Sequence, residues 1–407
     1  MKIYSNSQNV LKAALDRIRY LFDEFPNVIV GFSGGKDSTV TLNLALQVAT
    51  EKNRLPLKVL FIDQEAEWQG TIDYVTTIMT DERVEPMWYQ MPMVITNNAS
   101  SYNRYSYCWD EKEKDNWIHD KHPLSIKENK YGTERFHELF EKIIGHEFKN
   151  IKTCYLAGVR TEESPKRFVA LTDAITYKWI TFGSALNKKN QHYTFYPIYD
   201  WSYTDIWKFI NENNIAYNKI YDKLYQHGAV LNDMRISNLH HETAIQSLML
   251  VQEIEPQTWN KLAHRIDGAS SIKHIKKNSF TCPNDLPYMF KDWEEYAIHL
   301  AENIIQDDDN KKKLYKVLNS NNIEHSSKFY KRFNQNAIDK YWRIIINTIL
   351  SSDWDFTKIK NFAMSMPIAN LRYYYWKQFH KMQWEKIKHN KYFTYEQKQE
   401  IWNQLSK

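Results

Sequence analysis

Ser33-Gly34-Gly35-Lys36-Asp37-Ser38 is a glycine- and hydroxyl-rich turn carrying one cation and one carboxylate, a combination suited to phosphate. Val28 to Val30 ahead of it read as a buried strand. From Thr39 onward, Val40, Leu42, Leu44, Leu46 and Val48 read as a helix with an apolar face. A strand-to-helix turn aims backbone N–H groups and the positive end of the helix dipole at one point. Gly34 and Gly35 let the backbone approach closely and take positive φ. Ser33 and Ser38 add hydroxyl donors, Lys36 can neutralise phosphate charge, and Asp37 can hold Mg²⁺.

Two familiar glycine loops fail on spacing. A Walker A loop needs Gly five residues before the Gly-Lys pair and Ser or Thr directly after the lysine, but position 30 is Val and position 37 is Asp. The dinucleotide fingerprint fails too, because Gly31 is followed by Phe32-Ser33. Two further blocks carry chemistry. Gly158-Val-Arg160-Thr-Glu-Glu163-Ser164 offers an arginine that can grip an anion in a bidentate way, and Arg167 follows it closely. Pro197-Ile-Tyr-Asp200-Trp201-Ser202-Tyr-Thr204-Asp205-Ile-Trp207 leads into a helix that Ser202 or Thr204 can cap, with Asp205 in its first turn. Taken singly, Asp205 suits a helix dipole, and Asp200 and Trp201 suit a turn and a core aromatic.

The elements that must position these blocks alternate. A helix over 9–25 precedes the strand at 27–32, and a helix over about 38–51 follows it. Lys58–Asp63 reads as a strand, Thr71–Met79 as a helix, Glu85–Gln90 as a strand and Cys154–Val159 as a strand. Such alternation predicts a doubly wound, mainly parallel α/β sheet whose ligands bind beyond the carboxyl ends of its strands. Ser33–Ser38, Asp63 and Arg160 would then converge on one crevice. Residues 97–150 are polar and aromatic and read as an insertion that lines or covers the site. After about residue 235 the pattern is helical, giving an organisation of 1–235 and 236–407, with Asp307–Lys313 as a polar segment between helices.

Together the three blocks resemble the PAPS reductase-like family of the PP-loop ATP-pyrophosphatase (adenine nucleotide alpha hydrolase-like) superfamily. That family combines the Ser-Gly-Gly-Lys-Asp-Ser loop, a Gly-x-Arg-x-x-Glu-Ser element and a Pro-[Ile/Leu]-x-Asp-Trp-x-x-x-Asp-[Ile/Val]-Trp element. Asn218–Tyr225 is similar to the family's tyrosine-bearing segment, and the long C-terminal region is similar to that of the IbrA/YbdN-like subgroup. The resemblance implies a PP-loop (HUP-like) core that binds ATP or PAPS, with Mg²⁺. Nucleotide contacts would come from Ser33, Gly34, Gly35, Lys36, Asp37, Ser38, Asp63, Gly158, Arg160, Glu163, Arg167, Asp200 and Trp201. Lys36, Asp37 and Arg160 would be catalytic, and Asp37 and Asp63 would hold the metal. It also implies a ParB-like protein partner.

The chain departs from the thioredoxin-dependent reductases. It has no Glu-Cys-Gly, and its three cysteines, Cys108, Cys154 and Cys282, lack the pairing that iron–sulfur relatives need. A reductase needs a thiolate nucleophile. Cys108 on the insertion is the candidate; otherwise the cysteines are structural. The loop chemistry then favours cleavage of ATP between the α and β phosphates, with adenylyl transfer and pyrophosphate release. Competing readings are a nucleotide-sensing subunit, a sulfurtransferase and a nucleic-acid-modifying enzyme.

Composition bounds these readings. With 407 residues, 14 Trp and 27 Tyr against 10 Gly, the chain reads as large, helix-rich and well packed rather than disordered. The polar N-terminus, the scattered cysteines and the absence of any long apolar run are read as those of a cytoplasmic protein without a membrane span. The net charge of +5 is concentrated in residues 371–407, which suit either nucleic acid or a solvated helical face. His240-His241-Glu242 is a local cluster without the three convergent ligands of a catalytic zinc site.

Overall fold

A computed structural model of the chain describes residues 1–4, 8–97, 100, 105–163, 165–172, 176–178, 181–230, 234, 236–237, 239, 245–270, 281–305, 307–320, 335–351, 353–356, 358–359 and 394. The basic segment 371–407, apart from Thr394, and His240-His241-Glu242 lie outside the described residues.

The first part of the chain alternates strands and helices: α1 (Val10–Glu24), β1 (Asn27–Gly31), α2 (Lys36–Glu51), β2 (Leu57–Ile62), α3 (Gln69–Met79) and β3 (Val84–Tyr89). A hairpin of β4 (Met93–Thr96) and β5 (Tyr105–Cys108) follows, then α4 (Phe136–Glu147), β6 (Thr153–Leu156) and α5 (Pro165–Thr172). Next come β7 (Thr176–Tyr177), β8 (Thr181–Asn187), β9 (His192–Phe195), α6 (Tyr203–Glu212) and α7 (Ile220–Gln226). The main sheet has the order β3-β2-β1-β6-β9-β8-β7. It is parallel from β3 through β9 and antiparallel at β8 and β7.

The strand period explains the layers. Val28 and Val30 of β1 face a core shared with α1, α2, α3 and α6, whereas Ile29 faces a second core with Leu139, Ile143 and Ile144 of α4. Both faces of the sheet are therefore covered, as the alternating sequence requires. Strand order reverses between β1 and β6, so the turns after those two strands splay apart and open a crevice at their carboxyl ends.

Three features differ from the sequence reading. Strands β7, β8 and β9 at one side of the sheet were not legible, because their short runs carry no clean alternation. Residues 97–150 are only partly an insertion: α4 packs on the sheet as one of its covering helices. Asp307–Lys313, expected as a polar segment between helices, instead opens the helix Asp308–Ser320, whose Leu314, Val317 and Leu318 are buried.

The chain divides into two compact units. One holds Met1–Ala99 and Tyr105–Lys273, including α8 (Ile245–Ile254) and α9 (Pro256–Arg265). Contacts therefore group residues 236–273 with the sheet, whereas the sequence reading placed its division at 235. The other unit is helical in its described residues, with α10 (Trp293–Ile304), α11 (Asp308–Ser320) and the helix Gln335–Leu350 around Tyr341, Trp342, Ile345 and Ile346.

Candidate functional site

Beyond β1 the chain turns through Gly34, whose φ of +71° is open to glycine and strained for other residues. Gly35 then stands at the N-cap of α2, and Lys36 and Asp37 occupy the helix's first turn. The turn is held by its own hydroxyls. Ser38 Oγ donates to the Gly35 carbonyl at 2.9 Å and accepts from the Ser33 N–H at 3.2 Å. Beyond β6, Gly158 passes so close to α2 that a methyl group there would meet the Asp37 carbonyl oxygen at 2.7 Å and Ser38 N at 2.9 Å. The two turns touch backbone to backbone, and glycine makes that approach available.

Arg160 ties all three sequence blocks together. It is 3% exposed. Its Nε donates to Asp37 Oδ1 at 2.5 Å, and its Nη1 donates to Glu162 Oε2 at 2.9 Å and to the Trp201 carbonyl at 3.3 Å. Glu162 accepts in turn from the Tyr203 N–H at 2.5 Å. Asp37 also receives Lys36 Nζ at 2.8 Å. Tyr221 completes the turn: its hydroxyl accepts from the Lys36 N–H at 3.2 Å, and its ring and that of Tyr203 lie 5.5 and 5.8 Å from Lys36 Nζ. Burial pulls the Lys36 pKa down, but Tyr221 and the Asp37 carboxylate outweigh it, so the group sits above its ordinary value and carries its charge at neutral pH.

These groups line a cavity of about 550 Å³. Ser33, Gly35, Lys36, Asp37, Ser38, Gly158, Arg160, Glu163 and Arg167 all reach it. Glu163 and Arg167 are paired with each other in its wall. The remaining wall includes apolar Leu60, Ile62, Phe136 and Phe140, the ring of Tyr155, and polar Gln64 and acidic Glu67 after β2.

The structure separates Asp63, Asp200 and Trp201 from this wall. Asp63 is fully buried, and its carboxylate accepts from Gln90 Nε2 at 2.9 Å, from the Glu65 N–H at 2.9 Å and from Trp88 Nε1 at 3.2 Å. Asp200 is gripped by Arg17 through both guanidinium nitrogens, at 3.1 and 2.8 Å. That bidentate pair fastens α1 to the turn before α6. Trp201 is 1% exposed, and its indole N–H donates to the Val10 carbonyl at 3.1 Å. Asp63 fails to join the crevice because the strand's last carboxylate turns into the core to meet donors contributed by and just beyond β3.

The two carboxylates expected to hold Mg²⁺ are both engaged by protein donors. Asp37 is occupied by two cations, and Asp63 has its donors in the core. Among the described residues, no group of three or more His, Cys, Asp or Glu side chains could hold a metal. The cysteines stand apart from the cavity wall as well. Cys108 and Cys154 are buried, and burial pushes both thiols well above their ordinary range. Among the described residues, no helix is long and apolar enough to cross a membrane.

The sequence profile of the phosphoadenosine phosphosulfate reductase domain matches residues 27–227, the span that builds this cavity's glycine turns. YbdN of Escherichia coli, an uncharacterized protein, is 30% identical over 313 residues, covering 73% of this chain and 75% of its own. The chain belongs to the phosphoadenosine phosphosulfate reductase-like family. Within that PAPS reductase-like group the more distant relatives differ in chemistry. An adenosine 5'-phosphosulfate reductase of Lysinibacillus sphaericus is 21% identical over 53% of this chain and 76% of its own. Subunit 2 of a sulfate adenylyltransferase of Shewanella pealeana is 24% identical over 54% of this chain and 68% of its own.

Several groups in the site of this PAPS reductase-like chain escaped the sequence reading. Tyr221 lay in a segment noted only for its resemblance, and Glu162 sat inside a recognised block without a role. Gln64, Glu67, Phe136 and Phe140 carry no motif, and only the crossing of β2, α4 and β1 brings them to the cavity.

Proposed function

We propose that this chain binds ATP and transfers its adenylyl group to an oxygen of an acceptor, releasing pyrophosphate. The observation that carries the reading is the convergence of the Ser33–Ser38 turn, Lys36 and Arg160 on one cavity where, among the described residues, no cysteine lines the wall. In the reaction an acceptor oxygen forms a bond to the α phosphorus. The bond to the oxygen bridging to the β phosphorus breaks, and that electron pair leaves on pyrophosphate. Ser33, Gly34, Gly35 and Ser38 hold the leaving pyrophosphate, and Lys36 neutralises charge that grows on it. Arg160 fixes Asp37, and with Arg167 it presents positive charge to the α phosphate. Gly158 and Glu163 supply the closeness and orientation of that second turn. Catalysis is then by positioning and electrostatics, without a protein nucleophile.

A reductase reading needs a thiolate, and both Cys108 and Cys154 are held as buried neutral thiols. A nucleotide-sensing reading has one observation in its favour: Lys36 and Arg160 share the Asp37 carboxylate, so part of their positive charge is already engaged within the protein. The ParB-like partner and nucleic-acid readings lean on the C-terminal region, including residues 371–407.

The test is product analysis with ATP in magnesium-containing buffer, with and without cell extract as a source of acceptor. AMP and pyrophosphate that disappear in Lys36→Ala, with the fold retained, support the proposal. Intact ATP together with consumption of PAPS and reductant would overturn it in favour of reduction. Nucleotide binding without turnover would favour the sensor.

A further inference from the structure

The turn after β2 carries two clamps whose donors and acceptors come from far along the chain. Glu65 holds a φ of +66°, a left-handed conformation that is strained for a residue with a side chain. Its carboxylate is buried and receives Arg265 twice, Nε to Oε1 at 2.8 Å and Nη2 to Oε2 at 3.1 Å, as well as the Trp109 N–H at 2.7 Å. Four residues on, α3 begins. Its first N–H groups are capped by Glu255, which accepts from Gln69 N at 2.8 Å and from Gly70 N at 3.0 Å. Thr258 Oγ1 donates to the same carboxylate at 3.0 Å and fixes its rotamer. Residues 66–68 lie between the two clamps and Gln64 directly precedes the first; Gln64 and Glu67 face the cavity. Glu255 and Arg265 bracket α9, which lies beyond the family match at 27–227.

We infer that α9 acts as a positioning element for the nucleotide cavity, with Arg265 and Glu255 as positioning residues that hold Gln64 and Glu67 in its wall. The inference rests on the cavity being the nucleotide site proposed above. A bidentate arginine–carboxylate pair fixes orientation as well as distance. A carboxylate on two helix N-terminal N–H groups fixes the start of α3. With one clamp on either side, residues 66–68 have little freedom, and Gln64 is tethered through its neighbour Glu65. Releasing either clamp lets Glu65 relax from its strained φ and swings Gln64 and Glu67, without touching Lys36 or the glycine turns.

The experiment uses the full chain and two variants, Arg265→Met and Glu255→Gln, with ATP as the probe. Hydrogen exchange over residues 63–71 reads the clamp directly and does not depend on any activity. ATP affinity reads its consequence. Faster exchange at 63–71, unchanged exchange in β1 and α2, and ATP affinity weakened by about tenfold are expected, in keeping with the loss of buried charged hydrogen bonds. Arg265→Lys, which keeps one charged contact, should recover part of the affinity. Faster exchange with unchanged ATP affinity would overturn the inference and leave the clamps as stability devices. Unchanged exchange would overturn it as well. If Arg265→Met does not fold, Glu255→Gln, which keeps an acceptor oxygen, decides the matter by the same two readings. Failure of the wild-type chain to bind ATP would instead overturn the proposed function, while the exchange data would still report whether the clamp exists.

Discussion

Replacing Arg160 by methionine tests whether the site is built as a cross-brace. The substitution keeps a long apolar stem and removes the guanidinium. The wild-type group is 3% exposed and donates to two carboxylates and one carbonyl. Breaking a buried ion pair from one side costs about 3–5 kcal/mol when the remaining charge is left bare. Here it is not bare, because Lys36 Nζ still lies 2.8 Å from Asp37, and the half-exposed Glu162 can return to water. The cost therefore falls at the low end of that range, about 3 kcal/mol. A typical domain holds about 5–15 kcal/mol, so the variant should fold. Hydrogen exchange in β1 and β6 of Arg160→Met, Asp37→Asn and the double variant reads the stability of the sheet-bearing unit alone. The two substitutions should couple by about 1–3 kcal/mol, since each removes the other's partner. Additive effects, or a loss below about 1 kcal/mol for Arg160→Met, would refute the brace, because surface pairs contribute no more than that.

Two other outcomes follow from the same geometry. Gly158→Ala sets a methyl group 2.7 Å from the Asp37 carbonyl oxygen, where the obstacle is backbone and cannot rotate away. It should cost about 1–3 kcal/mol and impair ATP binding, checked by thermal melting and titration. The cysteines should sort by burial. Alkylation by iodoacetamide at pH 8, followed by mass spectrometry, should mark the part-exposed Cys282 first and leave Cys108 and Cys154 protected. Burial favours the neutral thiol, so thiolate at Cys108 emerges only above the ordinary value of 9.0, and its labelling should rise only at higher pH or on unfolding.

The sequence by itself determined the parts whose physics is local. A glycine turn between an apolar strand and a helix was legible at Ser33–Ser38, and the structure places it at the N-terminus of α2 on the cavity wall. Alternating strands and helices required a parallel sheet with both faces covered; of the two cap candidates Ser202 and Thr204, the structure selects Ser202, with Asp205 closing a capping box. The tertiary structure decided what long-range partners do to side chains. Asp63, at a strand end, was as eligible for the crevice as Arg160. Trp88 and Gln90 supply donors from the neighbouring strand and its exit, and a carboxylate that finds buried donors stays with them. Asp200 was claimed by Arg17 in the same way. Conversely, Gln64, Glu67, Phe136 and Phe140 carry no motif, and they reach the cavity only because β2 and α4 flank β1. The clamp of Glu255 and Arg265 was equally silent, since a residue about 200 positions away becomes a partner only once the chain has folded back on itself.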